Sequence, residues 1–275
     1  VRPHQAVIGF DRRLKIEWLD RAATIRIAHE KPADVRTALD AYLRTRVSGD
    51  AKGGARAKTR SVLMRTWALP RPESKELLKS AIALFSSVPA SQRIALHWGL
   101  LIANYPFFFD TAMHIGRLLR LQDTIELSQA TRRITESWGQ RSTVPRAVQR
   151  IVRSLVDWRA LIDAKNRGEF ARTAKPIDVS SESLSMWLVE AVVVASRGKA
   201  NTAALAIQHP ALFPFVVHVT PSGLAKSELV EVVRHGLNES VVVLRTAQRS
   251  GTQKRLSAEA ELDKTILKEA AKGTF

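Results

Sequence analysis

The chain has 275 residues, 45% of them hydrophobic, with 43 Lys+Arg against 26 Asp+Glu, a formal net charge of +17 and no cysteine. This is long enough for one large or two to three small domains with a substantial core, and the lack of cysteine excludes disulfides, thiolate zinc sites and cysteine nucleophiles. The cationic excess favours a polyanionic partner, without choosing between DNA, RNA and an anionic membrane surface.

In chain order, residues 10–47 read as two helices. Leu14, Trp18, Ala22 and Ile25 form one apolar stripe, and Val35, Leu39, Tyr42 and Leu43 form another, with Lys31-Pro32 at the break. A hinge-like run of small residues, 48–54, leads into Arg56, Lys58, Arg60 and Arg65, with no acid between Asp50 and Glu73. Residues 48–58 are expected to be flexible, and Lys52, Arg56, Lys58 and Arg60 form a candidate basic arm that orders on a phosphate backbone. A solvated loop leading into a helix at 59–68 is the other reading of this segment. Residues 74–121 read as three helices, and the aromatic run 105–109 carries no interleaved basic residue, so helix packing explains it better than base stacking.

Residues 124–175 carry most of the functional information. Ile125, Leu127, Ala130, Ile134 and Trp138 form a helical stripe that stops at Gly139, and 139–142 form a turn. A second helix follows, capped by Ser142 or Thr143 with Pro145 in its first turn; Val144, Val148, Ile151, Val152, Leu155 and Trp158 define its buried face. Arg146, Arg150 and Arg153 recur at i, i+4 and i+7 on another side beside Gln149, and no acid intervenes between Arg141 and Arg153. Residues 159–162 then read as a short strand, 165–168 as a hairpin tip and 169–174 as the returning strand, with Lys165, Arg167 and Arg172 as its basic residues.

This succession resembles the winged helix-turn-helix superfamily of DNA-binding domains, with 107–175 as its core. The resemblance implies a recognition helix in the major groove and a basic wing on the flanking backbone. Arg141, Thr143, Arg146, Gln149, Arg150 and Arg153 on the turn and helix, and Lys165, Arg167 and Arg172 on the wing, are then the DNA-binding residues. Gln149 suits adenine and the arginines suit guanine, because their donor patterns match those base edges.

After a polar connector, 184–196 is a strongly apolar helix stopped at Gly198. Residues 212–219 and 240–244 read as strands flanking a helix at about 225–235, a small α+β module that could itself be a degenerate winged domain. Residues 246–275 are polar, with a short helix expected at 258–271. The expected fold class is therefore mainly α with small β elements. It comprises an N-terminal helical region (1–72), helical support with the central winged helix-turn-helix (73–178), an α+β module (179–246) and a peripheral tail (247–275).

No catalytic constellation is visible. His97 and His114 lie in apolar helical stretches without ligand-spaced partners, residues 52–59 lack the glycine that a P-loop needs before Lys-Thr, and no serine occupies a nucleophile elbow. Asp11, Glu17 and Asp20 are interleaved with Arg12, Arg13 and Lys15, a pattern of ion pairs rather than a nuclease metal site. The apolar runs 94–109 and 184–195 are broken by His97, Asn104 and Pro106, and by Glu190, which argues against membrane insertion; Arg12, Arg13, Lys15 and Glu17 come before any apolar stretch of leader length. A non-enzymatic, cytoplasmic, bacterial DNA-binding protein is expected, with no cofactor or metal. Double-stranded DNA is its partner, with further proteins or a second copy in a larger complex. The plan of a small basic helical protein around a winged domain is similar to the BrxA family of accessory proteins in BREX phage-defence systems, which implies such a role or one in transcription regulation. A protein-docking adaptor with winged folds and an RNA-binding protein are the alternatives.

Overall fold

Helix α5 (Ile94–Asn104) is buried along its whole length. A helix apolar on every side has no solvent face and must be wrapped by other elements. A computed structural model, which describes residues 7–49, 53–197, 201–235 and 239–245, shows how the chain does this. Among the described residues the fold is mainly α with small β elements.

The first wrapping layer is N-terminal. Helices α1 (Ile16–Ala28), α2 (Pro32–Leu43) and α3 (Ala55–Trp67) pack together, and α1 and α3 also reach α5. Pro32 starts α2, where its fixed φ and missing N–H carry no penalty. Val35, Leu39 and Leu43 are then the buried stripe of α2. Helix α4 (Lys75–Phe85) follows, and α9 (Glu182–Ala195) closes the other side of α5. The two helices approach closely because Gly99 lets the Trp187 ring sit where a Cβ would be.

Polar groups forced into this core are paired, as burial requires. His97 Nδ1 accepts from Trp67 Nε1 at 3.1 Å, and its Nε2 faces Asp20 Oδ1 at 3.0 Å. Burial pushes the His97 pKa down, and Asp20 opposes that shift. Asn104 accepts from the Arg71 amide and donates to the Leu100 carbonyl, while Trp98 Nε1 donates to the Ala211 carbonyl at 2.9 Å. The aromatic run is the expected packing junction, with Tyr105, Phe107, Phe108 and Phe109 buried and Phe107 edge-on to Trp138 at 5.0 Å.

Helix α6 (Pro106–Leu121) leads into β1 (Thr124–Glu126), α7 (Leu127–Trp138), α8 (Thr143–Asp157), β2 (Leu161–Asp163) and β3 (Glu169–Arg172). The strands form an antiparallel sheet in the order β1-β3-β2, with Ile125 opposite Phe170 and Ile162 opposite Ala171. Ile125 therefore belongs to a strand and not to the start of α7. Glu126 at the strand end forms a reciprocal capping box with Gln129, and this is what starts the helix.

The C-terminal region departs further from expectation. Strand β4 (Ile177–Val179) pairs in parallel with β6 (Phe215–Val217). Strands β5 (Asn201–Thr202), β7 (Val230–His235) and β8 (Glu239–Leu244) form a second antiparallel sheet, with the short helices α10 (Ala203–Ile207) and α11 (Pro221–Leu224) beside it. The helix expected at 225–235 does not form: residues 225–229 are turn and bend, and 230–235 are strand β7, whose valines are β-branched, with Val232 and Val233 paired to Val242 and Val241 of β8. The helix expected at 258–271 lies outside the described residues. One continuous core runs from Ile8 to Val242 and joins all these regions.

Two predictions follow from this packing. Gly116 of α6 lies under the turn at Pro210–Leu212, and an added Cβ would stand 1.9 Å from the Pro210 carbonyl oxygen. Gly116→Ala is expected to destabilise by about 1–3 kcal/mol, read as a lower urea midpoint at unchanged slope. His209, stacked on Phe109 at 5.1 Å, has its pKa lowered from 6.5 to about 4 by burial and then by Arg117 and Arg120. The unfolded chain takes up this proton first, so stability is expected to fall as the pH drops from 6.5 to about 4. In His209→Asn that loss is expected to be smaller than in the wild-type chain, measured by urea titrations across the same pH range.

Candidate nucleic-acid interface

Helix α8 seats Val144, Ala147, Val148, Ile151, Val152 and Leu155 in the core with essentially no exposure. Ser142 precedes the helix, but its side chain makes no cap: it accepts from Arg146 Nη2 at 3.4 Å, while Arg146 Nε donates to the Ser142 carbonyl at 3.2 Å. The preceding turn is shaped by Gly139, whose φ of 85° favours glycine. Trp138 anchors that turn by donating to Asp110 Oδ2 at 2.8 Å.

The C-terminal half of α8 is held by a segment more than a hundred residues away in sequence. The Leu14 amide donates to Ser154 Oγ and Trp158 Nε1 donates to the Leu14 carbonyl, both at 2.9 Å. Arg13 forms a two-pronged pair with Asp157 at 2.6 and 2.7 Å, a geometry that supplies direction as well as charge. Arg150 donates to the Asp11 carbonyl at 2.5 Å and lies 3.6 Å from the Asp11 carboxylate. Residues 11–14 are thereby strapped along α8.

A second tie joins α8 to the hairpin. Arg153 donates to Asp163 Oδ1 at 2.7 Å, and its guanidinium lies 5.3 Å from the centre of the Phe170 ring. Both Arg150 and Arg153 are half-buried. Asp157, the one acid of α8, is taken by Arg13, and the fold brings Asp11 to Arg150 and Asp163 to Arg153.

The expected site residues therefore fall into distinct groups. Thr143, Arg146 and Gln149 are exposed on the first two turns of α8, and Lys165 and Arg167 are exposed at the hairpin tip. Gly168, with φ of 85°, permits that tight turn, and Asn166 donates to both oxygens of Glu169. Arg141 is half-buried and donates to the Trp138 carbonyl at 3.2 Å. Arg172 is half-buried on β3, and its buried Nε has no hydrogen-bond partner among the described residues.

The second basic group is a correction. Arg56, Lys58 and Arg60 stand on helix α3 and not on a flexible arm; Lys52 lies outside the described residues. Arg56 and Arg60 both pair with Asp40 of α2, the former at 3.6 Å, so they serve the α2–α3 junction, while Lys58 is exposed. Reading residues 59–68 as the helix placed its start four residues too late, because the cations at 56 and 58 resemble a solvated loop when Asp40 is not in view.

Sequence reasoning missed Arg13, Asp11, Asp157 and Asp163 as partners of this surface. The sequence pattern places Asp11 and Arg13 on a helix with local ion pairs, whereas in the fold they precede α1 and face α8. Among the described residues no group of three His, Asp or Glu converges as a metal site, and no helix is long and apolar enough to cross a membrane.

The two kinds of arginine on α8 should behave differently. Arg150→Ala is expected to lower stability by about 1 kcal/mol through loss of the Asp11 tie, whereas Arg146→Ala and Gln149→Ala should stay within about 0.5 kcal/mol of wild type, all by urea denaturation. Comparison with protein-family models, curated proteins and solved structures finds no match to this chain.

Proposed function

We propose that the chain is a non-enzymatic DNA-binding protein, acting as a regulator or as an accessory component of a larger DNA-directed assembly. In this reading α6, β1, α7, α8, β2 and β3 form a winged helix-turn-helix, with α8 as recognition helix and the β2–β3 hairpin as wing. The order of these elements and the β1-β3-β2 pairing support it. The observation that carries it is the pairing of two exposed sets, Thr143, Arg146 and Gln149 on α8 and Lys165 and Arg167 on the hairpin, on elements tied together through Arg153. A fixed spacing between a base-reading helix and a backbone-gripping hairpin is what groove binding requires.

Within this reading Gln149 and Arg146 face base edges, while Lys165 and Arg167 contact phosphates. Arg150 and Arg153 hold the reading helix against the strap and the hairpin. The net charge of +17 supplies attraction at a distance and makes binding depend on salt.

The test is fluorescence anisotropy with random and candidate-operator duplexes over a salt series. Lys165→Ala with Arg167→Ala is expected to weaken every duplex alike and lower the log–log salt slope by about two, one per lost phosphate contact. Gln149→Ala is expected to relax preference at one base pair by about 1–3 kcal/mol. Unchanged binding to every duplex when Arg146, Gln149, Lys165 and Arg167 are all replaced by alanine overturns the assignment, and tighter binding to single-stranded RNA than to any duplex replaces DNA with RNA as the partner.

A further inference from the structure

Away from α7, α8 and the hairpin, a cavity of about 650 Å3 opens between α4, α9 and the segment leading into β7. That volume is within the range of small-molecule sites. Leu84, Met186, Trp187 and Leu229 give it apolar walls. Trp187 is fixed in place, because its Nε1 donates to the Leu77 carbonyl at 3.2 Å and Ser80 Oγ at 3.1 Å.

Glu190, also lining this cavity, lies within the apolar helix α9 and is only 7% exposed. Its Oε1 accepts from Ser227 Oγ at 2.6 Å. The Ser227 oxygen also accepts from the amides of Leu229 and Val230, so its one proton is directed at Glu190. Among the described residues Glu190 Oε2 has no hydrogen-bond partner. A carboxyl in this position is costly to bury and does nothing for packing that Met or Leu would not do better. Burial, opposed by the Ser227 hydrogen bond, raises its pKa.

Two of the three rim cations make contacts beside the cavity and keep their charge. Lys226 pairs with Glu182 at 3.5 Å, and Arg245 donates twice to the Ser227 carbonyl. Glu76, Glu228 and Lys79 also line the cavity, exposed and without an ion pair among the described residues. The lining thus carries three carboxyls and three cations, and Glu190 is the one buried charge-bearing group among them, set beside an apolar wall.

We propose that this cavity binds a small organic cation, a protonated amine on an apolar or aromatic body. The ammonium donates to Glu190 Oε2, and the body lies against Met186, Trp187 and Leu229. The site shares no residue with the candidate DNA surface, so it stands or falls independently of the DNA reading.

Isothermal titration of the full chain with 2-phenylethylamine, and with 3-phenylpropionate as a carboxylate of similar shape, tests the assignment at neutral pH. The amine is expected to bind saturably with a Kd of about 1 mM or below, and the acid at least about tenfold more weakly. Glu190→Gln, which keeps the side-chain shape, is expected to weaken amine binding by about tenfold or more, the loss of one charge-assisted hydrogen bond. Leu84→Trp, which fills the cavity without touching Glu190, is expected to abolish it and serves as the deciding variant if Glu190→Gln does not fold. Equal affinity for amine and acid, undiminished amine binding in either variant, or no saturable heat from the wild-type chain overturns the proposal.

Discussion

Everything in this fold depends on the requirement that α5 be enclosed. A helix buried along eleven residues cannot be stable until neighbours cover every side, so α1, α3, α4, α6 and α9 are drawn around it. Its polar groups add a second demand, because His97, Trp98 and Asn104 each need a partner delivered by a particular neighbour. Those hydrogen bonds select one arrangement among the many that would bury the same area. The direction of α6 follows, since it leaves α5 through Tyr105-Pro106 with its phenylalanines inside, and it carries β1, α7 and α8 to their places.

Charge is organised on top of this packing. With 43 cations and 26 acids, the acids cannot neutralise the surface, so their placement decides where positive charge remains open. Asp40 takes Arg56 and Arg60, Asp157 takes Arg13, Asp163 takes Arg153, and Asp11 lies beside Arg150. These pairs lie at junctions between elements and hold orientation more than they add stability, because exposed pairs are worth roughly 0–1 kcal/mol each. The cations at the start of α8 and at the hairpin tip are left facing solvent.

The parts of this structure that sequence reveals are those written within one element. The buried face of α8 was legible because Val144, Val148, Ile151, Val152 and Leu155 recur at helical spacing over four turns, and the hairpin was legible because Gly168 sits between two short β-forming runs. Strand β1 was not, since three residues carry no periodicity and its partner β3 lies more than forty residues downstream. Strand β7 failed for another reason: Val230, Val232 and Val233 fit a helical stripe nearly as well as a strand, and only pairing with β8 decides between them. In the candidate site, the residue types on α8 were readable, but the division between presenting and tethered arginines was not. That division depends on Asp11, more than 130 residues from Arg150, and on Asp163 beyond the end of the helix.

The same division explains why an i, i+4, i+7 row of arginines is not one functional unit. A helix fixed at its C-terminal half by a strap and a hairpin can present only its first turns, and on α8 those turns carry Thr143, Arg146 and Gln149. Arg150 and Arg153 are nearer the fixed half, where their guanidinium groups meet a carbonyl, carboxylates and an aromatic ring before they meet solvent. Holding them this way removes much of their side-chain freedom during folding rather than during binding, and it fixes the angle at which the exposed turns project. In the proposed DNA-binding role, rigid support behind a short exposed edge would favour discrimination between ligands of different shape, because a misplaced partner could not be accommodated by bending the helix. A row of three free arginines would instead grip any polyanion at any angle.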